Sequence, residues 1–585
     1  MNLKALLLFS LVVTICVSPL FADDDCILPG VPWPATDGVG RSLPLADEVG
    51  PVRGDRFVGI FYFLWHSAPA GKSPHWDGPY DITRILARDP EALSHPDSPL
   101  WGRVGQYHYW GEPLYGYYRS DDPWVLRRHA QALADAGVDT LIFDTTNAAT
   151  YRDTYMALCK VFQQVREEGG RTPQIAFMVN TKAGETAAQI YGDLYEKGLY
   201  KDLWFRWRGK PLMICDPAKA SEELQGFFTL RRAHWPFTMV NTEKAWHWEA
   251  AYSQPYGYVD DPEKPEQVNV SVAQNLRRSD GKVTNMSEGN ARGRSFHKGA
   301  FDETPGAVNY GHNFQEQWQR VFELEPSFVM ITGWNEWIAG RWQRPGKPIV
   351  FVDQYDEEHS RDIEFAKVGH CDNYYWQMVA NIRRYKGAPA LPACSGSKMI
   401  DLNGGFEQWE DVGPEYRDHV GETIPRDHAG VAGLHYENRS GRNDLVACKV
   451  ARDAESFYFY VRAAASIQPS PILEGLWLLI NVDGSHETGW EGYDFVVGRH
   501  VDEGGRLWLE KNVGGWKWER VAPVAHRIEG AKLHLAVPRG VLGEDSVGEF
   551  EFKWVDNCQA PGEVLDFYLS GDVAPEGRFD YRFSE

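Results

Sequence analysis

The feature that most constrains the fold is an alternation of strand-like and helix-like segments between residues 57 and 387. Apolar runs such as FVGIFYFLWH (57–66) are typical of strands buried on both faces. SDDPWVLRRHAQALADAG (120–137) has the apolar periodicity and the end residues of an amphipathic helix. The repetition predicts an α/β fold, and the strand count favours a closed (β/α)8 TIM-type barrel. An open doubly wound sheet is the alternative, but no strand runs into a glycine-rich nucleotide motif.

The positions of the barrel elements follow from the same pattern. Strands are predicted at 57–66, 138–147, 173–181, 210–217, 237–246, 267–275, 327–337 and 347–355. Helices are predicted at 120–137, 152–168, 184–197, 221–233, 311–325 and 371–387.

The composition changes after Lys386. Residues 387–398 are rich in Pro, Ala and Ser and are typical of a linker. From 399 to 585, short alternating segments separated by Gly, Asp and Asn predict an all-β sandwich. Exposed indoles there would stack on sugars, whereas buried ones would fill the sandwich core. The tryptophans open to both interpretations are Trp490, Trp508, Trp516 and Trp518.

The first 22 residues predict a signal peptide, because a lysine precedes an apolar run too short to cross a bilayer. No later window has the length of a membrane span, so we expect a secreted or periplasmic protein without a membrane anchor in the mature chain. The predicted units are a signal peptide, a barrel domain, a linker and a sandwich domain, at 1–22, 23–386, 387–398 and 399–585. The formal net charge of −22 argues against a nucleic-acid partner.

In a (β/α)8 barrel, the reacting groups project from the carboxyl ends of the strands. The polar and aromatic residues predicted there are Trp65, His66, Asp144, Asn147, Asn180, Asp216, Asn241, Glu243, Gln274, Asn275, Trp334, Asn335, Glu336 and Trp337, and Trp246 is a further candidate for substrate binding. Carboxylates, amides and indoles with few cations suit a carbohydrate, because phosphate sites need positive charge. We expect these residues to bind substrate, and the acids among them to include the catalytic pair.

Glu336 is the strongest catalytic candidate, because it stands between Trp334 and Trp337. Apolar neighbours raise the pKa of a carboxyl group by desolvation, which suits a proton donor or base near neutral pH. Hydrolysis of a glycosidic bond usually requires a second carboxyl group as well.

Glu243 and Asp144 are the candidates for this second acid. Each has an alternative role in the structure of the chain. Asp144 or Asp216 would otherwise cap the helix that follows, and Glu243 would pair with Lys244 or Arg231.

No cofactor or metal is predicted for this chemistry. The cysteines form no CxxC pair, and there is no HExxH, EF-hand loop or GxSxG motif. A structural calcium held by Asp483 and Asp494 in the sandwich is an alternative.

GWNEW (333–337) resembles the WNEW motif of the glycoside hydrolase family 99-like proteins, which include endo-α-mannosidases and WbsX-type proteins. The resemblance extends to 120–144 and covers about 57–387, with WNEW as its specific part. It implies a (β/α)8 barrel that acts on α-linked mannose or related sugars. Endo-mannosidase members keep two acids in NEWxEG. The first assists attack by the sugar 2-hydroxyl on the anomeric carbon, and the second is the general acid/base.

This chain departs from that pattern at the second acid, where Ala339 stands in NEWIAG, while Glu336 matches the first. Either Glu243 or Asp144 supplies the second carboxyl group, or the barrel binds glycans without hydrolysing them. A polysaccharide lyase using loop arginines such as Arg341 or Arg344 is a further alternative.

The C-terminal segment 476–499 resembles the DOMON-like sandwich of family 9 carbohydrate-binding modules. The sequence as a whole predicts an exported glycoside hydrolase with a carbohydrate substrate.

Overall fold

The computed structural model describes residues 30–66, 78–235, 239–467, 475–543 and 548–585. The predicted signal peptide lies outside these ranges. The described chain builds two large sheets, a mixed barrel-like sheet in its first part and an antiparallel sheet in its last part. None of the helices in the described ranges has the length and apolarity needed to cross a bilayer.

Eight strands of the first sheet form its parallel part. They are β1 (Phe57–Tyr62), β2 (Thr140–Asp144), β3 (Gln174–Met178), β4 (Lys210–Ile214), β5 (Thr229–His234), β6 (Ala245–His247), β7 (Gln267–Ser271) and β8 (Phe328–Thr332). Their order is β7-β8-β1-β2-β3-β4-β5-β6, and each neighbouring pair is parallel. Most residues of β1, β2, β3, β7 and β8 are buried, which explains their continuous apolar runs.

The two ends of this sheet meet at β6 and β7, where a side chain joins the strands. The Gln267 carboxamide accepts a hydrogen bond from the His247 backbone N–H (2.8 Å) and donates one to the His247 carbonyl (2.9 Å). One side chain therefore takes the place of a backbone ladder. A short strand, Gly257–Tyr258, runs antiparallel to β7 and parallel to Thr242–Glu243, which makes the sheet mixed.

Helices follow several of these strands on the outside of the sheet. The α-helices are Ala46–Val49, Ile82–Arg88, Pro123–Asp135, Arg152–Glu167, Ala183–Ile190, Glu222–Phe227, His312–Leu324, Asn373–Lys386 and, in the last part of the chain, Arg539–Leu542. Pro123–Asp135 begins where the Asp122 carboxylate accepts a hydrogen bond from the Trp124 N–H (3.1 Å). No helix lies among the described residues between β5 and β7, so helices and strands do not alternate throughout.

Two predicted elements of the middle region are wrong. The helix predicted at 221–233 ends at Phe227, and the following residues form β5, in which Leu230 pairs with Met213 of β4. Pairing within the sheet outweighs the helical preference of this segment. The strand predicted at 237–246 is displaced, because the barrel strand here is β6.

The eighth predicted strand, 347–355, is also wrong as a barrel strand. The part that forms a strand, Val350–Phe351, pairs antiparallel with Ile338–Trp342. The strand Ile338–Trp342 also pairs with Tyr107–Tyr109, and the three form a separate sheet. β5, which was not predicted, completes the eight parallel strands instead.

The last part of the chain forms a continuous antiparallel sheet of eleven strands. These are Tyr416–Arg417, Leu445–Arg452, Ser456–Ala463, Leu476–Asn481, Phe495–Val501, Leu507–Asn512, Trp518–Glu529, Lys532–Pro538, Glu549–Asp556, Asp572–Ala574 and Tyr581–Ser584. A separate hairpin consists of Arg426–Ala429 and His435–Asn438.

This antiparallel sheet folds over apolar clusters rich in aromatic side chains, which makes it sandwich-like. The long strand Trp518–Glu529 pairs with Leu507–Asn512 through its first half and with Lys532–Pro538 through its second half. Phe457 packs against Phe550 from another strand, with ring centroids 4.9 Å apart. The described segment 387–398, predicted as a linker, contains neither helix nor strand.

The two sheets are joined by polar contacts between buried side chains. Arg426 of the hairpin donates to the Asp122 carboxylate at 2.8 Å. Trp376 of the helix Asn373–Lys386 donates to the Tyr568 hydroxyl at 3.0 Å. We use the word seam for the boundary between the barrel-like sheet with its helices and the antiparallel sheet.

Candidate active site

A cavity of about 280 Å³ opens at the carboxyl ends of the barrel strands. Its size is near the lower end of the range for small-ligand sites. Aromatic and polar side chains line it together: Phe61, Phe63, Trp65, Asp144, Thr146, Asn147, Asn180, Trp235, Trp248, Asn275, Val283, Glu336 and Asp353. Three acids therefore share one cavity with several aromatic rings.

The backbone after β8 turns so that Glu336 faces this cavity. Asn335 fixes the turn, because its carboxamide accepts a hydrogen bond from the Phe63 N–H (2.8 Å) and donates one to the Phe63 carbonyl (3.1 Å). Gly333 passes close to β1, where a Cβ would lie 3.2 Å from the Phe61 carbonyl oxygen. The predicted substrate-binding residue Asn335 is thus fully buried and holds the loop against β1.

The two tryptophans that flank Glu336 do not line the cavity, and the prediction that they contact substrate has no support from the geometry. Trp334 is fully buried and meets the His129 ring edge-on, at 5.5 Å between centroids. Trp337 stacks on Trp110 at 5.3 Å and donates a hydrogen bond to Glu364. Their packing holds the loop on the side away from the cavity.

Arg361 is the direct partner of Glu336. Its Nε and Nη2 atoms donate to the two carboxylate oxygens of Glu336, each at 2.9 Å. The same guanidinium reaches Glu249 at 3.3 Å and Asp353 at 3.2 Å, and it lies over the Trp248 ring at 4.7 Å. A single buried positive charge therefore serves three carboxyl groups.

This arrangement sets the protonation of the cluster. Burial raises the pKa of Glu336 to about 8 and that of Glu249 to about 7, although Arg361 opposes both shifts. The negative charges of Asp353 and Asp144 raise the pKa of Glu336 further. Because one guanidinium cannot neutralise three carboxylates, the cluster retains a proton near neutral pH.

Asp144 occupies the end of β2, as predicted, and is 4% exposed. Its Oδ1 atom accepts hydrogen bonds from the Thr146 N–H (3.0 Å) and the Thr146 hydroxyl (2.8 Å). Burial raises the pKa of Asp144, and these two bonds oppose the rise by stabilising the ionised form. Asp144 and Glu336 thus face one cavity in unlike environments.

Further predicted residues line the same cavity, among them Trp65, Asn147 and Asn180. Trp65 follows β1, Asn147 follows β2 and Asn180 follows β3. The rule that functional groups follow the strand ends places all three together.

His66 and Asp216 lie elsewhere, although each follows a barrel strand. His66 is buried, and its backbone N–H donates to the Ser120 hydroxyl at 2.9 Å. Burial lowers the pKa of His66 to about 3, so the ring is neutral. Asp216 caps a short helical turn by accepting a hydrogen bond from the Ala218 N–H at 3.1 Å.

Glu243 and Trp246 are not brought to the cavity either. Glu243 is exposed, because it belongs to the short strand Thr242–Glu243 outside β6. Its Oε1 atom lies 3.1 Å from the Lys244 Nζ atom. Trp246 is fully buried inside the barrel, where it donates to Glu266 at 3.0 Å and packs on Phe328 at the first residue of β8. Trp246 therefore lies near the amino end of the strands, opposite the cavity.

The residues of the site that escaped the sequence analysis include Trp235, Trp248, Glu249, Asp353 and Arg361. Glu249 follows β6 by two residues, so a correct boundary for that strand would have indicated it. Asp353 and Arg361 come from a long irregular loop, and no local pattern marks them.

The tryptophans of the antiparallel sheet pack mainly on one another. Trp490 is buried, and Trp516 meets it edge-on at 4.4 Å. Trp518 continues the group at 5.5 Å from Trp516, and the Arg520 guanidinium covers Trp508 at 5.4 Å. These contacts match the core-filling alternative for Trp490 and Trp516.

Asp483 and Asp494, the alternative calcium ligands, have hydrogen-bond donors in the same turn. Asp483 accepts from the Thr488 hydroxyl at 2.9 Å, and Asp494 accepts from the Val482 N–H at 2.9 Å. Their carboxylates stabilise the turn after the strand Leu476–Asn481.

Comparison with known proteins gives matches among solved structures. No protein-family model matches the chain, and no curated protein matches it. Two solved structures of a GH99 endo-α-mannosidase from Bacteroides thetaiotaomicron, one in complex with BIS-TRIS-propane, are similar at 13% and 14% sequence identity, each with a TM-score of 0.33. The similarity covers 57% of this chain and 97% and 99% of those chains. The assignment of the site rests on the geometry described above.

Proposed function

We propose that this protein is an exported glycoside hydrolase with a (β/α)8-type barrel, acting on a polysaccharide or another glycan. The observation that carries the proposal is the pairing of Asp144 and Glu336 in one aromatic-lined cavity at the strand ends. Two carboxyl groups in unlike environments are what glycosidic hydrolysis requires.

Glu336 is the proton donor in this proposal, and Asp144 is the base or nucleophile. The pKa of Glu336 is raised to about 8, so this group holds a proton at neutral pH. The proton passes to the glycosidic oxygen as the bond from that oxygen to the anomeric carbon breaks. The Asp144 carboxylate, stabilised by Thr146, either deprotonates the attacking water or attacks the anomeric carbon itself. While Glu336 is protonated, Arg361 retains Glu249 as its anionic partner.

The position of Ala339 supports a second acid from outside the WNEW segment. Ala339 lies on the strand Ile338–Trp342 opposite His108, and it is buried in a small apolar cluster. The residue that corresponds to the second acid of the resembling family is therefore directed away from the substrate cavity. Asp144 supplies the second carboxyl group from another strand.

Aromatic rings are proposed to hold the sugar. Trp65, Trp235 and Trp248 line the cavity beside the acids. Flat apolar faces of this kind suit the C–H faces of pyranose rings, and the amides of Asn147 and Asn180 can donate to or accept from hydroxyl groups.

The test of the proposal is release of reducing sugar from a panel of plant, algal and microbial glycans. We expect release by the wild-type protein and a loss of about 10²–10⁴-fold in Asp144→Asn, which keeps the shape of the side chain. Glu243→Gln is the matched control, because Glu243 is exposed and lies outside the cavity. Equal activity in Asp144→Asn and the control would remove Asp144 from the mechanism.

Two other functions give different results in the same experiment. A glycan-binding protein would migrate more slowly through a gel that contains its glycan, but it would release no sugar. A polysaccharide lyase would form an unsaturated product that absorbs ultraviolet light. The lyase is the weaker alternative, because Arg361 is committed to three carboxyl groups and Arg341 donates to the Gly102 carbonyl at 2.9 Å.

A second cavity, of about 810 Å³, supports a polymeric substrate. It shares Val283 with the first cavity and is lined by Trp342, which is 62% exposed. Arg344 and Lys347 also line it. A chain that leaves the catalytic cavity would enter this second space and meet an exposed indole.

Trp342→Ala therefore raises KM for a polymeric substrate by about 2- to 10-fold, the contribution of one aromatic contact. The kcat for a short oligosaccharide stays unchanged, since Trp342 is not a residue of the catalytic cavity. Steady-state kinetics on both substrates measure the difference. An equal change for both would place Trp342 outside any polymer-specific contact.

A further inference from the structure

Three carboxyl groups meet at the seam, and none of them lines the substrate cavity. They belong to Asp418, Glu422 and Asp572, and one oxygen of each lies within 4.8 Å of the others. Asp572 begins the strand Asp572–Ala574, whereas Asp418 and Glu422 belong to the loop after Tyr416–Arg417. Glu422 is 1% exposed and Asp572 is 3% exposed, so these two acids are out of contact with bulk water, whereas Asp418 is half-buried.

No N–H or hydroxyl group of the described structure donates to the Glu422 carboxylate, whose hydrogen-bonding neighbours are the carboxyl groups of Asp572 and Glu576. Neither of its oxygens accepts a hydrogen bond from such a group, and the same is true of Asp572 Oδ1 and Asp418 Oδ2. The second oxygen of Asp572 accepts from the Leu445 N–H at 2.5 Å. Buried carboxylates without donors are costly unless a cation compensates them.

The cations nearby are committed to other groups. Arg128 lies 3.7 Å from Glu422 but is closer to Glu576, at 3.1 Å. Lys553 donates to the carbonyls of Pro575 and Phe579. Negative charge therefore exceeds positive charge around the three acids. In line with this excess, burial and neighbouring carboxylates raise the pKa of each of them.

We propose that Asp418, Glu422 and Asp572 bind a calcium ion at the seam. Calcium prefers six to eight oxygen ligands at about 2.3–2.6 Å, so two ligands on opposite sides of the ion are about 5 Å apart. The observed spacing lets all three carboxylates reach one ion without a change of the backbone. The ion satisfies the oxygens that lack donors and balances the excess charge.

A cavity beside the cluster gives the ion a route and leaves room for water ligands. Its volume is about 260 Å³, and its lining includes Asp418, His419 and Glu576 together with Arg171 and Arg417. Calcium sites commonly complete their coordination with water.

The ion has a structural consequence for the seam. The loop that carries Asp418 and Glu422 also contacts a barrel helix, because His419 lies 2.9 Å from Asp135. Calcium would hold this loop to Asp572 of the antiparallel sheet, and the loop in turn holds the barrel helix. The sequence alone predicts no metal here, since the three acids share no motif.

The experiment uses the full mature chain, treated with EDTA and returned to metal-free buffer. Calcium at about 100-fold above its Kd is expected to raise Tm by about 2–7 °C. Elemental analysis after dialysis against calcium is expected to find one ion per chain. Magnesium is expected to raise Tm less, because it requires a smaller octahedral site.

Glu422→Gln should abolish both the shift in Tm and the bound ion. Asp427→Asn is the matched control, because Asp427 belongs to an exposed acidic group with His435 and Glu437. If Glu422→Gln fails to fold, Asp418→Asn replaces it. A wild-type chain that binds no calcium and keeps the same Tm would overturn the proposal and leave protonated acids at the seam. Loss of the ion in Asp427→Asn but not in Glu422→Gln would overturn it equally.

Discussion

Glu336→Gln is expected to lower the rate of glycan hydrolysis by about 10²–10⁴-fold. The amide keeps the size of the side chain but cannot give a proton to the leaving oxygen. Folding should be retained, because Arg361 still pairs with Glu249 and Asp353. Far-ultraviolet circular dichroism and Tm check the fold, and reducing-sugar release measures the rate.

The pH profile separates a proton donor from a residue that only shapes the site. A group with a pKa of about 8 is protonated below that pH and ionised above it. If Glu336 is the donor, kcat/KM of the wild-type protein falls as the pH rises through about 8. The residual activity of Glu336→Gln lacks this alkaline limb. Retention of the same limb in the variant would assign it to another group.

Arg361→Met is expected to cost about 3–5 kcal/mol of unfolding free energy at pH 8, the largest stability effect we predict. The substitution leaves Glu336 and Glu249 buried without their shared cation. Methionine fills a similar length but provides no charge. Activity should fall as well, because the position of Glu336 depends on two hydrogen bonds from Arg361.

The loss should be smaller at pH 5. Without Arg361, the pKa values of Glu336 and Glu249 in the folded state rise further above the ordinary value of 4.5. Their contribution to stability is present at low pH, where both are protonated, and is lost as the pH rises through the raised values. Urea unfolding at both pH values measures this.

Arg341→Met is the control for this pH dependence. Arg341 is also buried, but it donates to backbone carbonyls and to Gln343. Its loss should cost a similar amount at pH 5 and pH 8. A pH-independent loss in Arg361→Met would show that packing, and not the carboxyl groups, determines the effect.

The site residues that the sequence predicts lie at the ends of strands with long apolar runs. The long apolar runs of β1, β2, β3 and β8 predict these strands, and the residues at or just after their ends include Trp65, Asp144, Asn147, Asn180 and Glu336. Parallel strands place their carboxyl ends at one edge, so residues distant in sequence meet.

Prediction failed where strands are short. β6 has three residues, and the strand predicted at 237–246 ends too early, so it indicates Glu243 and not Glu249. In a strand, one residue of displacement reverses the face of a side chain. The same limit applies to Trp334 and Trp337, whose direction depends on a turn that Asn335 fixes against β1.

The sequence by itself determined the strands with long apolar runs and the presence of Glu336 and Asp144 at strand ends, because apolar periodicity is a local property. Only the tertiary structure decided which acids share the positive charge of one arginine. Glu249, Glu336 and Asp353 meet at Arg361, and separations of 8 to 112 residues along the chain leave no local pattern. The protonation of the site depends on burial and on that shared guanidinium, and both arise only when the chain is folded.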